Sequence, residues 1–467
     1  MRAVGYSPEA AIADLVDNSV SARATEISIR YDAVDKPFVA ILDNGSGMTG
    51  PELTNAMRHG SRNPTIQRDE HDLGRFGLGL KTASLSQCRK LTVVSKKNGT
   101  ISARCWDLEV VRQKERWVVV VPGESDCAKL PLFAAIEGLT SGTLVVWEEL
   151  DKLTAGASDA AAEMTYKLSS LRNHLALVFH RFTSKEDGFQ AVKMTINGLK
   201  LPAIDPFLKK NPYRQPLETQ TIRHERGVAH VVPYILPPVH RLSREEIELA
   251  GGRDGLRSSQ GFYIYRNRRL VIWGTWFKLV PKEEFFKLAR VQVDIPNTFD
   301  DLWSLDIKKS GAFPPEVIRQ RLKELLPHFA GTCKRTITYL GRTSHKSDFT
   351  PLWVRTEPEH GKFRYEINTD FPIIQKLVSR LDKDSIKHLD LILDLASELL
   401  PLEAIYADMC GDSRRGPEVP DFDELLAKAR LISELTGAAP TDVLNIDPFA
   451  KFPQIHERLK AALLNAN

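Results

Sequence analysis

Hydrophobic periodicity divides the start of the chain into one helix and two strands. Apolar positions recur at helical spacing across residues 8–24. Ser7 followed by Pro8 is a typical helix start, because the serine side chain caps the first turn and proline fits it. Residues 26–31 alternate apolar and polar positions, and residues 38–42 are apolar throughout, so we predict a strand at each.

A polar segment and an antiparallel meander follow. Residues 49–73 are rich in glycine, asparagine, arginine and aspartate, which is typical of a mobile lid. A helix is predicted to restart at residues 80–88, and Asn98-Gly99 is a strong signal for a tight hairpin turn. The predicted strands of the meander and of the segment after it are residues 91–95, 101–107, 117–121 and 143–147.

The rest of the pattern predicts a linking helix, a second α+β domain and a helical end. The helix is expected at residues 159–182, and the charged, glycine-rich residues 241–260 are expected to form a loop. Further strands are predicted at residues 191–196, 229–236 and 261–266. We therefore predict an α+β chain in three parts, residues 1–155, 156–330 and 331–467, the last of them mixed and then helical.

Composition narrows the class of protein only slightly. A chain of 467 residues has room for two or three domains, and a net charge of +4 is too small to indicate nucleic-acid binding. The five cysteines are scattered, which predicts neither a disulfide framework nor a zinc site and fits a reducing cytoplasm. No apolar run reaches the length of a membrane span and no signal peptide is visible, so we expect a cytoplasmic protein without a membrane partner. The chain begins so close to its first helix that we expect a short N-terminal element to be missing.

The first candidate chemistry lies on the first helix. Asp14 and Asn18 are four residues apart and so project from one helical face. An amide oxygen is a suitable ligand for magnesium, and a carboxylate one turn away can hold a water against a γ-phosphate. Asp17 lies off that line and is expected to orient its neighbours. The alternative is a solvated polar helix face.

The second candidate is Asp43, at the end of an apolar strand. A carboxylate there can accept a hydrogen bond from the amino group of adenine. Gly45 and Gly47 would let the backbone approach a flat base closely. The alternative is an ordinary Asp-Asn-Gly turn between strands.

The third candidate is a glycine-rich segment with the order GxxGxG at Gly74, Gly77 and Gly79. Such a loop can offer successive amide groups to phosphate oxygens, and the helix beginning near Leu80 adds its positive end. Lys81 in the first turn of that helix would be unfavourable unless a polyphosphate were bound. The alternative is a flexible loop that caps a helix.

Together and in this order, the three candidates resemble the Bergerat ATP-binding fold. That fold is shared by DNA gyrase B, MutL, histidine kinases and the heat-shock-protein-ninety chaperones, and the similarity is greatest to its MORC-like branch. The motifs that carry the resemblance are Gly5-Tyr6-Ser7, AAIADLVDNSVSA at residues 10–22, DNGSGM at 43–48, RHGSRN at 58–63, GRFGLGLKTAS at 74–84 and Ser141-Gly142-Thr143.

The resemblance implies a bound ATP with Mg²⁺ and a role for each matched residue. Asn18 would bind the metal, Asp43 would bind adenine, and Thr143 would support the adenine site. Asp14 would be the catalytic base, although the family usually has a glutamate there, so hydrolysis is expected to be slow. Glu9 is the nearest other candidate for the base. The full predicted set that contacts the nucleotide is Asn18, Asp43, Gly45, Gly47, Met48, Gly74, Gly77, Gly79, Leu80, Lys81 and Thr143.

The resemblance continues more weakly into the second part of the chain. Gyrase, MutL and MORC proteins follow the ATP domain with a ribosomal-protein-S5-like transducer that lends a lysine to the γ-phosphate. Residues 261–273 resemble a transducer strand pair, and we predict Lys308, with Lys309 as the alternative, as that lysine. Two solvated surface lysines are the other interpretation. Histidine kinases lack a transducer, and no phospho-acceptor helix of their usual form is found.

Basic and aromatic residues interleave between positions 263 and 290. They would either pair phosphate contacts with base stacking or form a sheet core whose arginines are solvated. They are Tyr263, Tyr265, Arg266, Arg268, Arg269, Trp273, Trp276, Lys278, Lys282, Lys287 and Arg290.

The sequence therefore predicts a Mg²⁺-dependent ATPase that acts as a switch. ATP would order the lid and favour a homodimer, and the output would be linked to DNA, as in repair, compaction or defence. The alternatives are a protein-remodelling chaperone of the heat-shock type and an ATP-binding scaffold with negligible turnover.

Overall fold

A computed structural model of the chain forms two compact units, residues 1–333 and 334–467. The residues that the structure describes are 6–34, 36–58, 73, 79–154, 158–185, 188–252, 255–300, 302–305, 312–338, 350–359, 362–402, 404–405, 421–451 and 455–464. Among them, no helix is both long enough and apolar enough to cross a membrane.

The first unit opens with a seven-stranded mixed sheet. Its strands are Glu26–Asp32 (β1), Phe38–Asp43 (β2), Lys90–Lys97 (β3), Thr100–Asp107 (β4), Gly142–Glu148 (β5), Lys193–Ile196 (β6) and Leu199–Lys200 (β7). They lie in the order β4-β3-β5-β2-β1-β6-β7. Neighbours are antiparallel except for β1 and β6, which are parallel.

Nine helices accompany this sheet within the described residues. They are Pro8–Ser21 (α1), Gly50–Met57 (α2), Gly79–Leu85 (α3), Leu108–Lys114 (α4), Glu124–Cys127 (α5), Phe133–Glu137 (α6), Ala160–Leu168 (α7), Leu171–Val178 (α8) and His180–Thr183 (α9). Ser7 caps α1 as predicted, since its side chain accepts from the Ala10 amide.

Alternation along the strands gives the sheet two apolar faces. In β2, Val39 and Ile41 belong to the core that contains α1, α7 and α8, whereas Ala40 and Leu42 belong to a smaller core on the opposite face. The smaller core is closed by Phe133 of α6 and its neighbours. The sheet is therefore a middle layer with helices on both sides, and the predicted α+β class is confirmed.

Several predicted elements differ from the observed ones. Residues 117–121 are not a strand, although Val120 forms an isolated bridge with Cys105. The predicted helix at residues 159–182 is three short helices, α7 to α9. Helix α2 lies inside the predicted lid, where a capping box between Thr49 and Glu52 starts it. Strands β6 and β7 extend the first sheet beyond residue 155, where we placed a domain boundary; the three-part division remains a prediction.

A second sheet follows within the same unit. Its strands are Gln215–Pro216 (β8), Gln220–His224 (β9), Gly227–Ile235 (β10), Gly261–Arg266 (β11), Arg269–Thr275 (β12) and Ala289–Ile295 (β13). Their order is β12-β11-β13-β10-β8, with β9 also on β10. Residues 241–260 are not a loop as predicted, because they hold the helices Arg244–Gly251 (α10), started by a Ser243–Glu246 capping box, and Gly255–Ser258 (α11).

The end of the first unit and the second unit complete the chain. After Ser304–Leu305 (β14) and Ala312–Phe313 (β15) comes Glu316–Thr338 (α12). The later elements are Trp353–Glu359 (β16), Lys362–Ile367 (β17), Pro372–Val378 (α13), Lys383–Glu398 (α14), Phe422–Thr436 (α15), Pro440–Val443 (α16) and His456–Leu464 (α17). Residues such as Leu425, Ala429, Phe449 and Leu459 form the core of the second unit.

Candidate functional site

A polar row crosses the first sheet at the ends of three strands. Asp43 on β2 pairs in register with Thr143 on β5, which pairs with Ser95 on β3. The next residues on the same face, two positions further into each strand, are Ile41, Val145 and Val93, which belong to the core under α1. Because side chains alternate along a strand, all three polar residues face the α1 side. The apolar sheet face thus ends in a row of hydrogen-bonding groups.

Ser95 fixes the geometry of this row. Its hydroxyl donates to the Gly142 carbonyl at 2.9 Å and accepts from the Met48 amide at 2.8 Å. It also lies 3.0 Å from the Thr143 hydroxyl. Since a serine has one proton, Thr143 is the donor in that last contact and keeps its lone pairs for another group. The predicted site residues Met48 and Thr143 are therefore joined through one serine.

Asp43 is a buried carboxylate with partners on both oxygens. Its Oδ2 accepts from the Ser19 hydroxyl at 2.8 Å, and its Oδ1 accepts from the Gly45 amide at 2.9 Å. Burial raises the pKa of Asp43, and the hydrogen bonds from Gly45, Ser19 and Thr143 oppose that shift. Helix α1 thus holds the adenine-binding candidate by way of Ser19.

The two glycines beside Asp43 have no room for a side chain. A Cβ on Gly45 would lie 2.9 Å from Asp43 Oδ1 and 2.8 Å from the Ala22 Cβ. Gly47 has φ +64°, and a Cβ there would lie 2.0 Å from the Lys96 carbonyl oxygen. Both glycines are therefore required for close packing against the chain's own atoms, and their predicted approach to a flat ligand remains a prediction.

The two predicted functional residues of α1 lie on different sides of the helix, Asn18 on the exposed side and Asp14 on the buried side. Asn18 is exposed, so its amide is accessible to a metal ion. Asp14 is buried at 7% exposure, and its Oδ2 accepts from the Tyr6 hydroxyl at 3.0 Å. An accessible amide one turn from a held carboxylate suits magnesium, which takes few protein ligands beside phosphate oxygens and water.

Helix α3 places Gly79 against Asp14 but directs Lys81 elsewhere. A Cβ on Gly79 would lie 3.7 Å from Asp14 Oδ2. Leu80 packs against the main core. Lys81 is buried, and its ammonium donates to the carbonyls of Ala56 and Arg58 at the end of α2. In this structure Lys81 therefore neutralises the end of α2, and its predicted contact with phosphate remains a prediction.

Two arginines of the second sheet reach into this site. Arg269 Nε donates to Asp17 Oδ1 at 2.8 Å, and an Nη atom of Arg269 lies 4.0 Å from Asp14 Oδ1. Arg266 donates to the Leu73 carbonyl at 3.1 Å and forms a two-point ion pair with Asp300. Leu73 in turn donates its amide to the Ser21 hydroxyl at 3.1 Å.

These contacts correct our expectations for the basic and aromatic residues. Arg266, Arg269 and Arg290 are buried, so they are neither a solvated sheet face nor a surface for nucleic acid. Arg290 donates to the carbonyls of Lys287, Ala289, Ala250 and Leu256. Tyr263 and Tyr265 are core residues of the second sheet, as the second interpretation proposed.

Some predicted site residues lie outside the residues that the structure describes. They are Gly74, Gly77, Lys308 and Lys309. Among the described candidates, the structure brings Asp43, Gly45, Gly47, Met48 and Thr143 together at the strand ends. It brings Gly79 against Asp14 and leaves Asn18 on the exposed side of α1.

Sequence reasoning missed the residues that hold the candidate carboxylates. Ser19 was readable, since it follows Asn18 on the same helix and polar residues on a buried face need partners. Ser95 was readable only once strand register was known. Arg269 gave no local signal, because its partner Asp17 is 252 residues away.

Comparison with known proteins agrees with this geometry. Residues 6–143 match the family of histidine kinase-, DNA gyrase B- and HSP90-like ATPases. This part of the chain is an ATPase domain of that family, and the resemblance seen in its motifs is confirmed.

Two curated relatives match part of this domain in sequence. ATPase morc-1 of Caenorhabditis elegans is 35% identical over 97 residues, or 21% of this chain and 11% of that protein. The DNA mismatch repair protein MutL of Rickettsia canadensis (strain McKiel) is 31% identical over 117 residues, or 24% of this chain and 18% of that protein. The matches thus span less than a fifth of either relative. Among solved structures, the N-terminal domain of a DNA repair protein aligns with 69% of this chain and 93% of that chain, at 15% identity and a TM-score of 0.42.

The burial of Asp43 generates a prediction for Asp43→Asn. Because the folded pKa of Asp43 is raised, its ionisation costs folding free energy at neutral pH, and the cost disappears as the pH falls towards the ordinary value of 3.8. The neutral variant should therefore melt at a higher temperature than the wild type at pH 7, with a gap that narrows on acidification. The Ser19 hydroxyl can accept from the new amide, since the Leu15 carbonyl, 3.4 Å away, can take its proton.

The same variant should bind ATP more weakly by about tenfold or more, because a carboxylate that only accepts becomes an amide that also donates. Calorimetric titration and melting curves on one preparation separate the two effects. Unchanged ATP affinity in a folded Asp43→Asn protein would remove Asp43 from the adenine site.

Proposed function

We propose that the protein is a magnesium-dependent ATPase that works as a nucleotide-operated switch, with an output linked to DNA. The observation that supports this proposal most directly is that α1 contributes to both parts of the site, the proposed catalytic part and the proposed adenine part. The helix presents Asp14 and Asn18 one turn apart, and from the same turns its Ser19 holds Asp43. Membership of residues 6–143 in an ATPase family supports the same reading.

Each residue then has a chemical task. Asp43 accepts from the adenine amino group, and the close backbone at Gly45 and Gly47 bounds the base. Asn18 supplies an amide oxygen to Mg²⁺, which would neutralise phosphate charge when bound. Asp14 takes the proton of the attacking water, because a carboxylate held near the nucleophile can act as a general base.

Asp14 also sets the expected rate. An aspartate is one methylene shorter than the glutamate usual in the family, so its reach to the water is reduced and slow turnover is expected. A scaffold that binds ATP with negligible turnover is the limiting case. For the second sheet we keep the proposal of a transducer that lends Lys308, or Lys309, to the γ-phosphate.

Asp14 and Asn18 should separate turnover from metal-dependent binding. Asp14→Asn should lower kcat by about 100-fold or more while ATP affinity stays near wild type, because a general base contributes on that order. Asn18→Ala should instead lose the gain in ATP affinity that magnesium gives over EDTA. Both follow from a steady-state phosphate-release assay and calorimetry.

Asn173→Ala is the matched control, since Asn173 is an exposed asparagine on α8. It should behave like the wild type in both assays. A wild-type kcat in Asp14→Asn would move the base to another residue, with Glu9 the first to test.

Dimerisation should depend on bound nucleotide. A segment that orders around phosphates can create a two-fold contact surface only when ATP is present. A non-hydrolysable ATP analogue with Mg²⁺ should raise the mass measured by light scattering by about a factor of two. Asp43→Asn should stay at its starting mass at the same analogue concentration. A wild-type protein with constant mass in every nucleotide state would favour the scaffold.

A DNA-linked output should give salt-dependent DNA binding. The names of the MutL and MORC relatives support this choice over a chaperone, although the family also includes HSP90-like ATPases. Affinity for a DNA duplex should fall steeply as salt rises, because phosphate contacts release counterions, and it should change with bound ATP. No DNA binding, together with ATP-dependent suppression of aggregation of an unfolded protein, would support the chaperone instead.

A further inference from the structure

The guanidinium of Arg269, in the second sheet, lies beside two aspartates of α1, Asp14 and Asp17. Arg269 donates from Nε to Asp17 Oδ1 at 2.8 Å, and its Nη atom stands 4.0 Å from Asp14 Oδ1. Asp14 and Asp17 are three residues apart and therefore neighbours on the helix surface. The first contact is a charge-assisted hydrogen bond, whereas the second is too long for one and acts through charge.

The other oxygen of Asp14 is held independently. The Tyr6 hydroxyl donates to Asp14 Oδ2 at 3.0 Å. Tyr6 is itself fixed, because its carbonyl accepts from the Gln87 side chain at 3.0 Å, just beyond α3. The Asp14 carboxylate thus has the phenol at one oxygen and the guanidinium near the other, so its plane is defined from two sides.

Among the described residues, the other groups around the Arg269 guanidinium are an aromatic ring, a backbone carbonyl and an imidazole. The two aspartates are therefore the acidic groups that face it. Its guanidinium lies 5.7 Å from the ring centroid of Phe179 and donates to the Leu270 carbonyl at 3.2 Å. His174 is close by, and burial together with Arg269 lowers the pKa of His174 to about 4. The imidazole is therefore neutral at pH 7 and does not compete for the aspartates. A guanidinium at 6% exposure in this setting is strongly held by Asp17.

We propose that Arg269 is a positioning residue for hydrolysis, which orients the Asp14 carboxylate through its bond to Asp17 and its charge beside Oδ1. The inference rests on the proposed role of Asp14 as the base. Arg269 acts through the two aspartates and not through the nucleotide, so its loss should affect the chemical step and not ATP binding. The Asp14 side chain is short and has few rotatable bonds with which to adjust the position of its carboxylate. Orientation by Arg269 and Asp17 therefore matters more than it would for a longer side chain.

The arrangement makes the second sheet part of the active site. Arg269 begins β12 and reaches a helix 252 residues earlier in the chain. Any shift of β12 relative to α1 would move the guanidinium away from both aspartates. The orientation of the base is therefore coupled to the docking of the second sheet.

Arg269→Gln, Arg269→Lys and Asp17→Asn test the inference in the full-length chain. Each is measured for ATP affinity by calorimetry, for kcat by phosphate release, and for melting temperature. Arg269→Gln should lower kcat by about tenfold with ATP affinity within about twofold, since a misplaced general base loses part of its contribution. Arg269→Lys keeps the charge and should recover part of kcat. The double variant Asp17→Asn/Arg269→Gln should be no slower than Arg269→Gln, because the two residues act as one unit.

Arg290→Gln is the matched control for loss of a buried arginine. Arg290 lies in the same sheet, is fully buried and donates to four backbone carbonyls. It should lower the melting temperature without lowering kcat per folded molecule. If Arg269→Gln does not fold, Arg269→Lys and Asp17→Asn decide the question.

Wild-type kcat in folded Arg269→Gln or Asp17→Asn would overturn the inference, as would a parallel loss of kcat and ATP affinity. Asp14→Asn run alongside separates the two proposals. If it is inactive while Arg269→Gln is fully active, the positioning role fails and the base stands. If Asp14→Asn is itself active, the proposed base fails.

Discussion

The structure depends on hydrogen-bond and ion-pair partners for three carboxyl groups that are buried in a protein core. Asp14, Asp17 and Asp43 are all buried at the junction of α1 and the end of β2. An unpaired buried charge costs several kcal/mol, so each needs a compensating partner. The three solutions differ: a hydroxyl and an amide for Asp43, a guanidinium for Asp17, and a phenol with a nearby guanidinium for Asp14. These partners, more than the apolar packing, fix where the helix, the strand end and the second sheet meet.

The second sheet is bound to the first domain by its charged turn. Arg266 and Arg269 are directly paired at the end of the β11–β12 hairpin, with Asn267 and Arg268 at positive φ between them. One arginine holds Leu73 and Asp300, and the other holds Asp17. A hydrophobic interface could slide with little loss, but a guanidinium that moves a few ångströms loses its hydrogen bonds. The two sheets are thus joined by an interaction that tolerates only discrete positions.

Local signals in the sequence were sufficient for the parts of the site that local chemistry builds. The capped first helix, the strand ending at Asp43 and the Asn98-Gly99 turn all follow from spacing and turn chemistry, and the structure has each of them. The common face predicted for Asp14 and Asn18 is not observed, because Asp14 is buried and Asn18 is exposed. Elements defined by tertiary packing were less readable. The helix predicted from residue 159 is three short helices in the structure, and its apolar periodicity did not reveal the breaks between them. Residues 241–260 looked like a loop because their charges hid the Ser243 capping box. The buried arginines were interpreted as surface charges because their acidic partners are distant in the sequence, as Asp17 is from Arg269.

The parallel pairing of β1 with β6 has a consequence for synthesis on the ribosome. Glu26 pairs with Lys193, so β1 keeps an open edge until the crossover through α7, α8 and α9 has been made. At about 5 to 20 residues per second, that edge waits on the order of ten to thirty seconds for its neighbour. An open strand edge can recruit another chain, and nascent chains on one messenger are close together. Glu26, Arg30 and Asp32 are charged positions along β1. We infer that these charges, which contribute little to the finished sheet, protect the unfinished one from pairing with the wrong copy.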